Sequence, residues 1–471
     1  MIQDSSTTRL TGWLREEIRA ARPGDRLPST RWLVDTHHVS PVTVSRVLAA
    51  LGAEGLIVSR PGAGTFVAPP ARRPGPADYS WQTVALGDRT VDTAGLSPLA
   101  DPPHDDGVIS LATGYLHPSL MPARALSAAL ARAARLPDAW DRPPAAGLHG
   151  LRSWFARVAS PEADARDVVI TAGGQCAITA AFRALVPAGG TVLVESPTYP
   201  GALAVARAAG LRPVPVPADA HGVIPDLLAE AFARTGALAF YCQPAYHNPA
   251  GTVLTGPRRA EVLAAASAAG AFVVEDDCGR WLSHEGPPPP TLLAADREGR
   301  VVYLTSLTKA ASPSLRVGAL IACGPVAARL RAIRVVDDMF VARPVQEAAV
   351  QLVTGAAWDR HLRGLAQALA GRALALAGAL AMHAPGVSFT APGGGMHLWA
   401  RLPPGLDDAE AAQAARQAGV AVMPGRPFFP AEAPGPYLRL TFSAAPASGD
   451  LATAVSRLAR AVPALAGGAG G

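Results

Sequence analysis

Lys309 is the only lysine in the chain, and its side chain is the first candidate for covalent chemistry. The sequence contains 42 lysine and arginine residues together, so the other 41 are arginine. Arginine supplies a permanent charge, but it stays protonated and cannot act as an amine nucleophile. A lysine can lose its proton and form a Schiff base with a carbonyl compound. The alternative is that a composition bias replaced every other lysine and left Lys309 as an ordinary surface residue.

Lys309 follows one of five short apolar runs that have the character of buried β-strands. The runs cover residues 168–171, 191–194, 237–241, 271–274 and 301–304. Ala-rich stretches of helical character separate them, and this alternation predicts an α/β domain with a mainly parallel sheet covered on both faces. Ligands of such sheets bind at the carboxyl ends of the strands. The residues that follow each run are therefore the candidates for a site.

Each run is followed by groups of definite chemistry. Gly174 and Gln175 open a helix after the first run, where free N–H groups and the helix dipole suit a phosphate. Tyr199 follows the second run with a ring that can stack, Asn248 follows the third with an amide, and Asp276 follows the fourth with a carboxylate. Around the lysine after the fifth run lie three side chains that can bind an anion, namely Ser306, Thr308 and Arg316.

These five positions point to one type of ligand. It is a flat ring that carries a phosphate, an aldehyde and a nitrogen that a carboxylate keeps protonated. Pyridoxal 5′-phosphate (PLP) has these groups, and its protein partners are a Schiff-base lysine and an acidic group at the pyridine nitrogen. Each position alone has an ordinary structural explanation, since Gly-rich turns and buried strand-end aspartates are common. Five of them in this order predict a PLP site.

Residues from about 110 to 465 resemble the fold-type I aminotransferases, which use PLP. The resemblance implies that Lys309 forms the Schiff base and that Asp276 pairs with the ring nitrogen. It implies that Tyr199 stacks on the ring and that Asn248 donates to the ring hydroxyl. The implied phosphate site consists of Gly174, Gln175, Ser306, Thr308 and Arg316. In the motif "YLRLTFS", Arg439 takes the position that holds a substrate α-carboxylate through a bidentate pair.

The chain departs from the aminotransferase pattern at two places. Family members usually carry a tyrosine shortly after the acidic pair, whereas residues 278–280 here are cysteine, glycine and arginine. Enzymes of this fold also often supply a tyrosine to the partner subunit's phosphate, and this chain has Arg142-Pro-Pro-Ala-Ala in that region. These two departures leave cofactor binding expected, but they make efficient catalytic turnover a weaker expectation. We interpret Glu275 and Asp277, which flank Asp276, as structural.

The first 68 residues have the pattern of three helices followed by two strands. The apolar stripes of the first and third helices are formed by Leu10, Leu14, Ile18, Val44, Val47, Leu48 and Leu51. A second helix is expected to begin at Ser29 or Thr30 as its N-cap, with Trp32 and Leu33 pointing inward.

Ser40 is suited to cap the third helix, and residues 55–67 form two short strands around a Gly-rich turn, which is a wing. The stretches "GDRLPSTRWLV", "VSPVTVSRVLAALGAEGLI" and "RPGAGTFVA" resemble the winged helix-turn-helix of GntR-type regulators. In that family the third helix enters the major groove. The resemblance implies DNA contacts from Arg31, Ser40, Thr43, Ser45, Arg46, Arg60, Gly62 and Gly64. Pro41-Val42 departs from the family, which often has a basic and a polar residue there.

Bulk composition permits nucleic-acid binding without demonstrating it. The formal net charge is +5, and residues 1–68 contain eight arginines against six acidic residues. The alternative is that the winged helix makes protein contacts and does not bind DNA.

Four scattered cysteines lack zinc-type spacing, which favours a reducing cytoplasm and no metal site. The N-terminus has no signal-peptide pattern, and the apolar stretch at about 362–383 predicts a packed amphipathic helix rather than a membrane span.

The order of these parts resembles the MocR type of GntR-family transcription regulators. Residues 1–68 are then the DNA-binding domain, 69–107 a Pro-rich linker, and 108–471 the aminotransferase-like domain that binds PLP. The resemblance implies a cytoplasmic homodimer that binds an operator in double-stranded DNA and senses PLP or its adduct with an amino acid or amine. The first alternative is a working aminotransferase with an autoregulatory DNA-binding head. The second is a degenerate homologue that binds no cofactor.

Overall fold

The computed structural model of the chain describes residues 6–69, 78–87, 93, 95–96 and 107–467. The chain divides into two compact units, Met1–Thr90 and Val91–Gly471. Most of the stretch 69–107 lies outside the described residues, so its character as a linker stays a prediction. The described part contains a short helix, Ser80–Leu86, that the sequence pattern did not predict because its residues show no apolar periodicity.

The N-terminal unit contains the predicted three helices and wing. The elements are α1 (Ser6–Ala20), α2 (Thr30–His37), α3 (Pro41–Ala53), β1 (Ile57–Arg60) and β2 (Gly64–Val67). The two strands pair in antiparallel register from Ile57 opposite Val67 to Arg60 opposite Gly64. The small core of this unit contains residues of the predicted apolar stripes, among them Leu10, Leu14, Val44, Val47 and Leu51.

Hydroxyl side chains begin α2 and α3 as expected. The Ser29 Oγ accepts from the Trp32 N–H at 3.2 Å, and the Ser40 Oγ accepts from the Thr43 N–H at 3.1 Å. The expectation that Trp32 points inward was wrong, since its side chain is 45% exposed, whereas Leu33 is fully buried. The Trp32 ring instead lies against the Trp13 ring at the surface, with centroids 5.8 Å apart, because Leu33 already fills the core position.

An eight-stranded sheet forms the centre of the C-terminal unit. The strands of this unit are β3 (Ile109–Ser110), β4 (Val168–Thr171), β5 (Thr191–Ser196), β6 (Arg212–Asp219), β7 (Gly222–Val223), β8 (Ala239–Cys242), β9 (Phe272–Asp276), β10 (Val301–Ser306), β11 (Gly318–Ile321), β12 (His397–Arg401), β13 (Val420–Ala421), β14 (Met423–Pro424) and β15 (Tyr437–Thr441). The large sheet has the order β4-β11-β10-β9-β8-β5-β6-β7. Neighbours from β10 to β6 are parallel, and β11 and β7 pair antiparallel. The predicted mainly parallel sheet is confirmed.

Helices cover both faces of this sheet. They are Ala123–Ala133, His149–Ala159, Gly174–Leu185, Pro200–Ala208, Pro225–Thr235, Gly256–Ala268, Leu292–Ala295, Pro325–Asp338, Arg343–Val353, Ala356–His383, Asp408–Gln417 and Ser448–Ala461. Alternate strand residues enter two separate cores. Tyr241 and Val274 pack in one of them, while Phe240, Val273 and Tyr303 pack in the other. A smaller sheet of order β12-β15-β14 carries residues of the C-terminal part.

One described helix, Ala356–His383, is long and apolar enough to cross a membrane by length and composition. Its Leu365, Leu369 and Leu376 are buried in the core of the unit. Its Arg372 is also buried and donates to the Ala445 carbonyl at 2.5 Å. These contacts are those of a core helix, as the sequence predicted for this stretch.

Candidate cofactor site and DNA-binding surface

The carboxyl ends of β4, β5, β8, β9 and β10 meet around one cavity. All nine residues predicted to bind the cofactor line it, namely Gly174, Gln175, Tyr199, Asn248, Asp276, Ser306, Thr308, Lys309 and Arg316. They come together because parallel strands end at the same edge of a sheet. Their individual roles stay predictions.

Lys309 lies at this cavity with few acceptors around its amine. Its Nζ donates to the Gly114 carbonyl at 2.7 Å and lies 4.4 Å from the centroid of the Tyr115 ring. Burial lowers the pKa of Lys309 to about 8, and the positive charges of Arg439 and Arg316 act in the same direction. A substantial fraction of the side chain is therefore a neutral amine near physiological pH, which a Schiff base requires.

The turn between β4 and the helix Gly174–Leu185 forms an anion site. Gly173 has a φ of +89°, and a methyl group at this position would lie 2.8 Å from a guanidinium nitrogen of Arg316. The Arg316 guanidinium donates to the Ala172 carbonyl at 2.7 Å, which holds it beside the helix N-terminus. On the other side, the Ser306 and Thr308 hydroxyls lie 2.7 Å apart. Amides, two hydroxyls and a guanidinium thus face the same space.

Tyr199 supplies a fixed aromatic ring. Its hydroxyl donates to the Gln175 Oε1 at 3.1 Å, and a methyl group on Gly201 would lie 2.3 Å from the Tyr199 ring. The ring therefore lies closely against the backbone of the next helix. Burial raises the pKa of Tyr199 above its ordinary value, so the phenol stays neutral.

Asp276 is a buried carboxylate with three hydrogen-bond donors. The Tyr241 hydroxyl donates to Oδ2 at 2.6 Å, and the Gln243 amide donates to the same oxygen at 3.2 Å. The Cys278 N–H donates to Oδ1 at 3.1 Å. Gln243 also accepts from the Asn248 N–H at 3.2 Å, so it connects the carboxylate and the amide that line the cavity.

Arg439 lies behind Asn248 and does not line the cavity itself. It is fully buried on β15, donates to Asn248 Oδ1 at 3.2 Å and donates to the Ala112 carbonyl at 2.5 Å. Its guanidinium stands 5.1 Å from the centroid of the Phe428 ring, and burial lowers the pKa of Arg439 to about 9. The neighbouring cavity residue His397 is neutral, because burial and the Arg439 charge hold its pKa well below the ordinary value.

Glu275 and Asp277 face away from this cavity and have structural partners. Glu275 accepts from the Leu292 and Leu293 N–H groups at 2.8 and 3.0 Å, at the start of a short helix. Asp277 accepts from the Tyr303 hydroxyl at 3.0 Å. Burial raises the pKa of both carboxyl groups. These contacts agree with the structural interpretation of the two residues.

The structure also shows what stands at the two departures from the aminotransferase pattern. Of residues 278–280, where a tyrosine is usual, Cys278 and Gly279 line the cavity, and so do two tyrosines from other parts of the chain, Tyr115 and Tyr246. Arg142 is exposed and is not among the cavity residues of the described chain.

Sequence reasoning assigned no role to several residues at the site, namely Tyr115, Tyr241, Gln243, Tyr246 and His397. Tyr241 and Gln243 had only a partial signal in the sequence, because their place on one face of a strand could be predicted but the neighbouring strand could not. Residues two apart on a strand share a face, and β8 lies beside the strand that ends at Asp276. Tyr115 and His397 come from distant parts of the chain, and nothing in their local sequence marks them.

The predicted DNA-contact residues lie on one module. Ser45 and Arg46 of α3 are exposed, while Val44 before them and Val47 after them are buried. Ser40 and Thr43 form the start of this helix, and Arg31 is exposed at the start of α2. In the wing lie Arg60, Gly62 and Gly64, and the two glycines have positive φ values of +76° and +120°. The contacts to DNA that these residues would make stay predictions.

The site's groups fit PLP. A partly neutral lysine, a buried carboxylate, a fixed aromatic ring and an anion site where a Cβ would meet Arg316 all adjoin one cavity. Asp276 and Lys309 come from the adjacent strand ends of β9 and β10, which pair in parallel. This is the set of partners that PLP requires.

Comparison with known proteins agrees with both parts of the chain. Residues 108–458 match the aminotransferase class I and II family, and residues 7–67 match the gntR family of bacterial regulatory proteins. The HTH-type transcriptional regulator TauR of Rhodobacter capsulatus is 30% identical over 98% of this chain and 97% of its own length. The chain is a MocR-type regulator of the GntR family. It binds PLP and DNA and belongs, by its C-terminal part, to the class I and II aminotransferases.

Two further similar proteins are a regulator and an enzyme. The HTH-type transcriptional regulator YdcR of Escherichia coli is 29% identical, and the match covers 88% of this chain and 90% of YdcR. The structure of LysN, the α-aminoadipate aminotransferase of Thermus thermophilus, superimposes with a TM-score of 0.76 at 29% identity. That match covers 82% of this chain and 98% of LysN, which was solved with N-(5′-phosphopyridoxyl)-L-leucine.

Proposed function

We propose that this regulator senses an amino acid or amine through the PLP that Lys309 holds, and that effector binding changes its affinity for an operator. The observation that carries the proposal is the half-buried Lys309, whose pKa is lowered to about 8, at a cavity lined by the other cofactor candidates in a chain that also contains a GntR-type DNA-binding unit. When bound, PLP supplies an aldehyde that condenses reversibly with amines. In the proposal, Asp276 pairs with the ring nitrogen, Tyr199 stacks on the ring and Asn248 donates to its hydroxyl.

The phosphate is proposed to bind at the turn after β4. Its oxygens would accept from backbone amides at the helix N-terminus and from the hydroxyl and guanidinium groups around it. These donors belong to Gly174, Gln175, Ser306, Thr308 and Arg316. The close contact between Arg316 and Gly173 supports this arrangement, since any side chain at position 173 would clash with the guanidinium.

Arg439 is proposed to recognise an α-carboxylate on the effector. Its guanidinium now donates to the Ala112 and Thr113 carbonyls, at 2.5 and 3.4 Å, and its Nε has no partner in the described structure. A carboxylate would replace these carbonyls as the acceptor and add a charge-assisted pair. LysN holds a phosphopyridoxyl adduct of an amino acid in the same fold, which supports an amino-acid effector here.

The working form is proposed to be a cytoplasmic homodimer. One winged helix buries little surface against DNA, so proteins of this kind usually bind as two copies on neighbouring half-sites. Residues 1–68 would form the DNA-binding domain, 69–107 the linker and 108–471 the effector domain. Arg31, Ser45, Arg46 and Arg60 would contact the duplex, together with Ser40, Thr43, Gly62 and Gly64.

A working aminotransferase with an autoregulatory head is the second candidate. The class I and II match and the retention of Lys309, Asp276 and Arg439 favour it. Steady turnover of amino and keto acids at rates of dedicated transaminases would establish this alternative.

The experiment that tests the regulator proposal uses the full-length protein loaded with PLP. Amino acids and amines are screened for a change in the visible absorbance of the cofactor. The compounds that cause a change are then tested for their effect on DNA affinity. A compound that alters both supports a sensor, whereas spectral changes that never alter DNA binding would contradict it.

A further inference from the structure

Tyr241, which is fully buried, and Gln243, which is half-buried, lie at the cofactor site and have no role in the proposed function. Both donate to the same oxygen of Asp276, its Oδ2, at 2.6 and 3.2 Å. We propose that Tyr241, assisted by Gln243, is a positioning residue that fixes Asp276 so that its Oδ1 accepts from the protonated ring nitrogen of PLP. This inference rests on the role of Asp276 in the proposed function.

The hydrogen bonds around Asp276 leave one acceptor position open. Each carboxylate oxygen can accept about two hydrogen bonds. Oδ2 already accepts two, from Tyr241 and Gln243, whereas Oδ1 accepts one, from the Cys278 N–H at 3.1 Å. The Cys278 thiol is a further, weak donor to this carboxylate, so the acceptor capacity that is left for a strong donor is on Oδ1. A carboxylate without the two side-chain donors would be free to rotate and offer either oxygen.

Tyr241 is a permanent donor in this arrangement. Its side chain is fully buried, and burial together with the adjacent Asp276 charge raises the pKa of Tyr241 well above 10. The phenol therefore keeps its proton throughout the range in which the protein works. Because the buried hydroxyl has no solvent to turn towards, its O–H stays directed at the Asp276 carboxylate.

Gln243 ties this hydrogen bond to the rest of the site. Its side-chain oxygen accepts from the Asn248 backbone N–H at 3.2 Å, and its backbone N–H donates to the buried Glu195 carboxylate at 2.7 Å. The parallel register that places Cys242 beside Glu275 brings Gln243 beside Asp276. Tyr241 lies two residues earlier and thus on the same face.

The opposite face of the same sheet offers a matched control. Tyr303 is also fully buried, its pKa is also raised well above 10 by burial, and its hydroxyl donates to the Asp277 carboxylate at 3.0 Å. Asp277 faces away from the cavity and has no part in the cofactor site. Removing either hydroxyl takes one hydrogen bond from a buried carboxylate, but only Tyr241 acts on the residue that faces the ring.

The test compares Tyr241→Phe with Tyr303→Phe in the full-length protein. Three quantities are measured for each: the dissociation constant for PLP, the pH midpoint of the visible absorbance of the bound cofactor, and the unfolding temperature. We expect Tyr241→Phe to weaken PLP about 10-fold and to shift the midpoint by about 0.5 unit or more, since hydrogen bonds to charged groups have effects of this size. Tyr303→Phe should lower the unfolding temperature similarly and leave the midpoint and the PLP affinity unchanged.

The positioning role is overturned if Tyr241→Phe keeps the wild-type midpoint and binds PLP within about twofold of wild type, or if both variants shift the midpoint alike. Should Tyr241→Phe fail to fold, Gln243→Met removes the other donor to Oδ2 and is judged by the same two outcomes. Failure of the proposed function is distinct, because wild-type protein would then show spectral changes with amines that never alter its DNA affinity, whatever the two variants do to the midpoint.

Discussion

A lysine serves as an attachment point for a carbonyl cofactor only where enough of it is neutral near physiological pH. Burial supplies that condition at Lys309 by lowering its pKa to about 8. At pH 7.5 about a quarter of such side chains are neutral, against about a thousandth for an ordinary lysine. The cavity therefore makes this amine reactive, a property that its isolation among arginines could not reveal.

The pH dependence of PLP attachment tests this at the residue scale. The neutral amine is the reactive form and a lowered pKa moves its appearance to lower pH, so the attachment rate should rise with pH around a midpoint near 8. Stopped-flow absorbance after mixing the cofactor-free protein with PLP measures the rate. A rate that keeps rising towards pH 10.5, as for a solvent-exposed lysine, would show that burial does not activate Lys309.

Arg439→Gln tests the proposed carboxylate contact. The variant loses a charge-assisted pair, so amino acids should bind the PLP-loaded protein about 10- to 100-fold more weakly. Amines without a carboxylate serve as the internal control and should bind as before. Spectral titration of both ligand classes gives the comparison, and an equal loss for both classes would indicate that Arg439 only maintains the fold.

The sequence could predict which residues lie at the cavity where they follow the end of a strand, but it could not predict contacts that depend on which strands are neighbours. Asn248, Asp276 and Lys309 were found because strand ends in a parallel sheet share one edge. The hydrogen bond from Tyr241 to Asp276 depends on strand order, which the sequence did not give. Trp32 was placed wrongly, because helical spacing alone did not show whether Trp32 or its neighbour Leu33 would fill the core.

At the scale of elements, the glycine turn before the helix Gly174–Leu185 allows a direct test of the proposed phosphate site. Gly173→Ala adds a methyl group 2.8 Å from the Arg316 guanidinium and strains a residue with φ of +89°. We expect PLP affinity to fall about 10-fold or more, while affinity for pyridoxal, which lacks the phosphate, stays nearly constant. Fluorescence or absorbance titration with both compounds gives the result.

Gly189→Ala is the matched control for that change. Gly189 has a similar φ of +77°, and a methyl group there would meet no atom within 4 Å. The control should carry the same backbone strain and keep its PLP affinity. Equal losses in the two variants would mean that strain, and not the anion site, determines the effect.

Helix α3 allows a second test at this scale. Arg46 is exposed on it, so Arg46→Ala should remove about one phosphate contact and reduce the slope of log affinity against log salt by about one. Arg15 pairs with Glu54 at 2.8 Å on the same module and is the control, since Arg15→Ala should leave the slope unchanged. Binding to a DNA duplex at several salt concentrations measures both. An unchanged slope for Arg46→Ala would remove this residue from the DNA interface.

At the scale of the whole molecule, two units with different chemistry share one chain. The sequence predicted both, because each has its own pattern: helices and a wing in the first, alternating strands and helices in the second. It did not predict the helix Ser80–Leu86, the antiparallel β11 or the position of Arg439 behind Asn248, since these depend on packing rather than on local periodicity. A ligand can regulate such a molecule only if it binds two of its states unequally.

The central claim is that the effector acts on DNA binding through the cofactor on Lys309. The most direct measurement is the dissociation constant for operator DNA, with and without effector, for wild type, Lys309→Ala and Lys309→Arg, the last of which keeps the charge. We predict that the effector changes the wild-type constant about fivefold or more and changes neither variant, while both variants still bind DNA. An effector response of wild-type size in the variants would contradict the account.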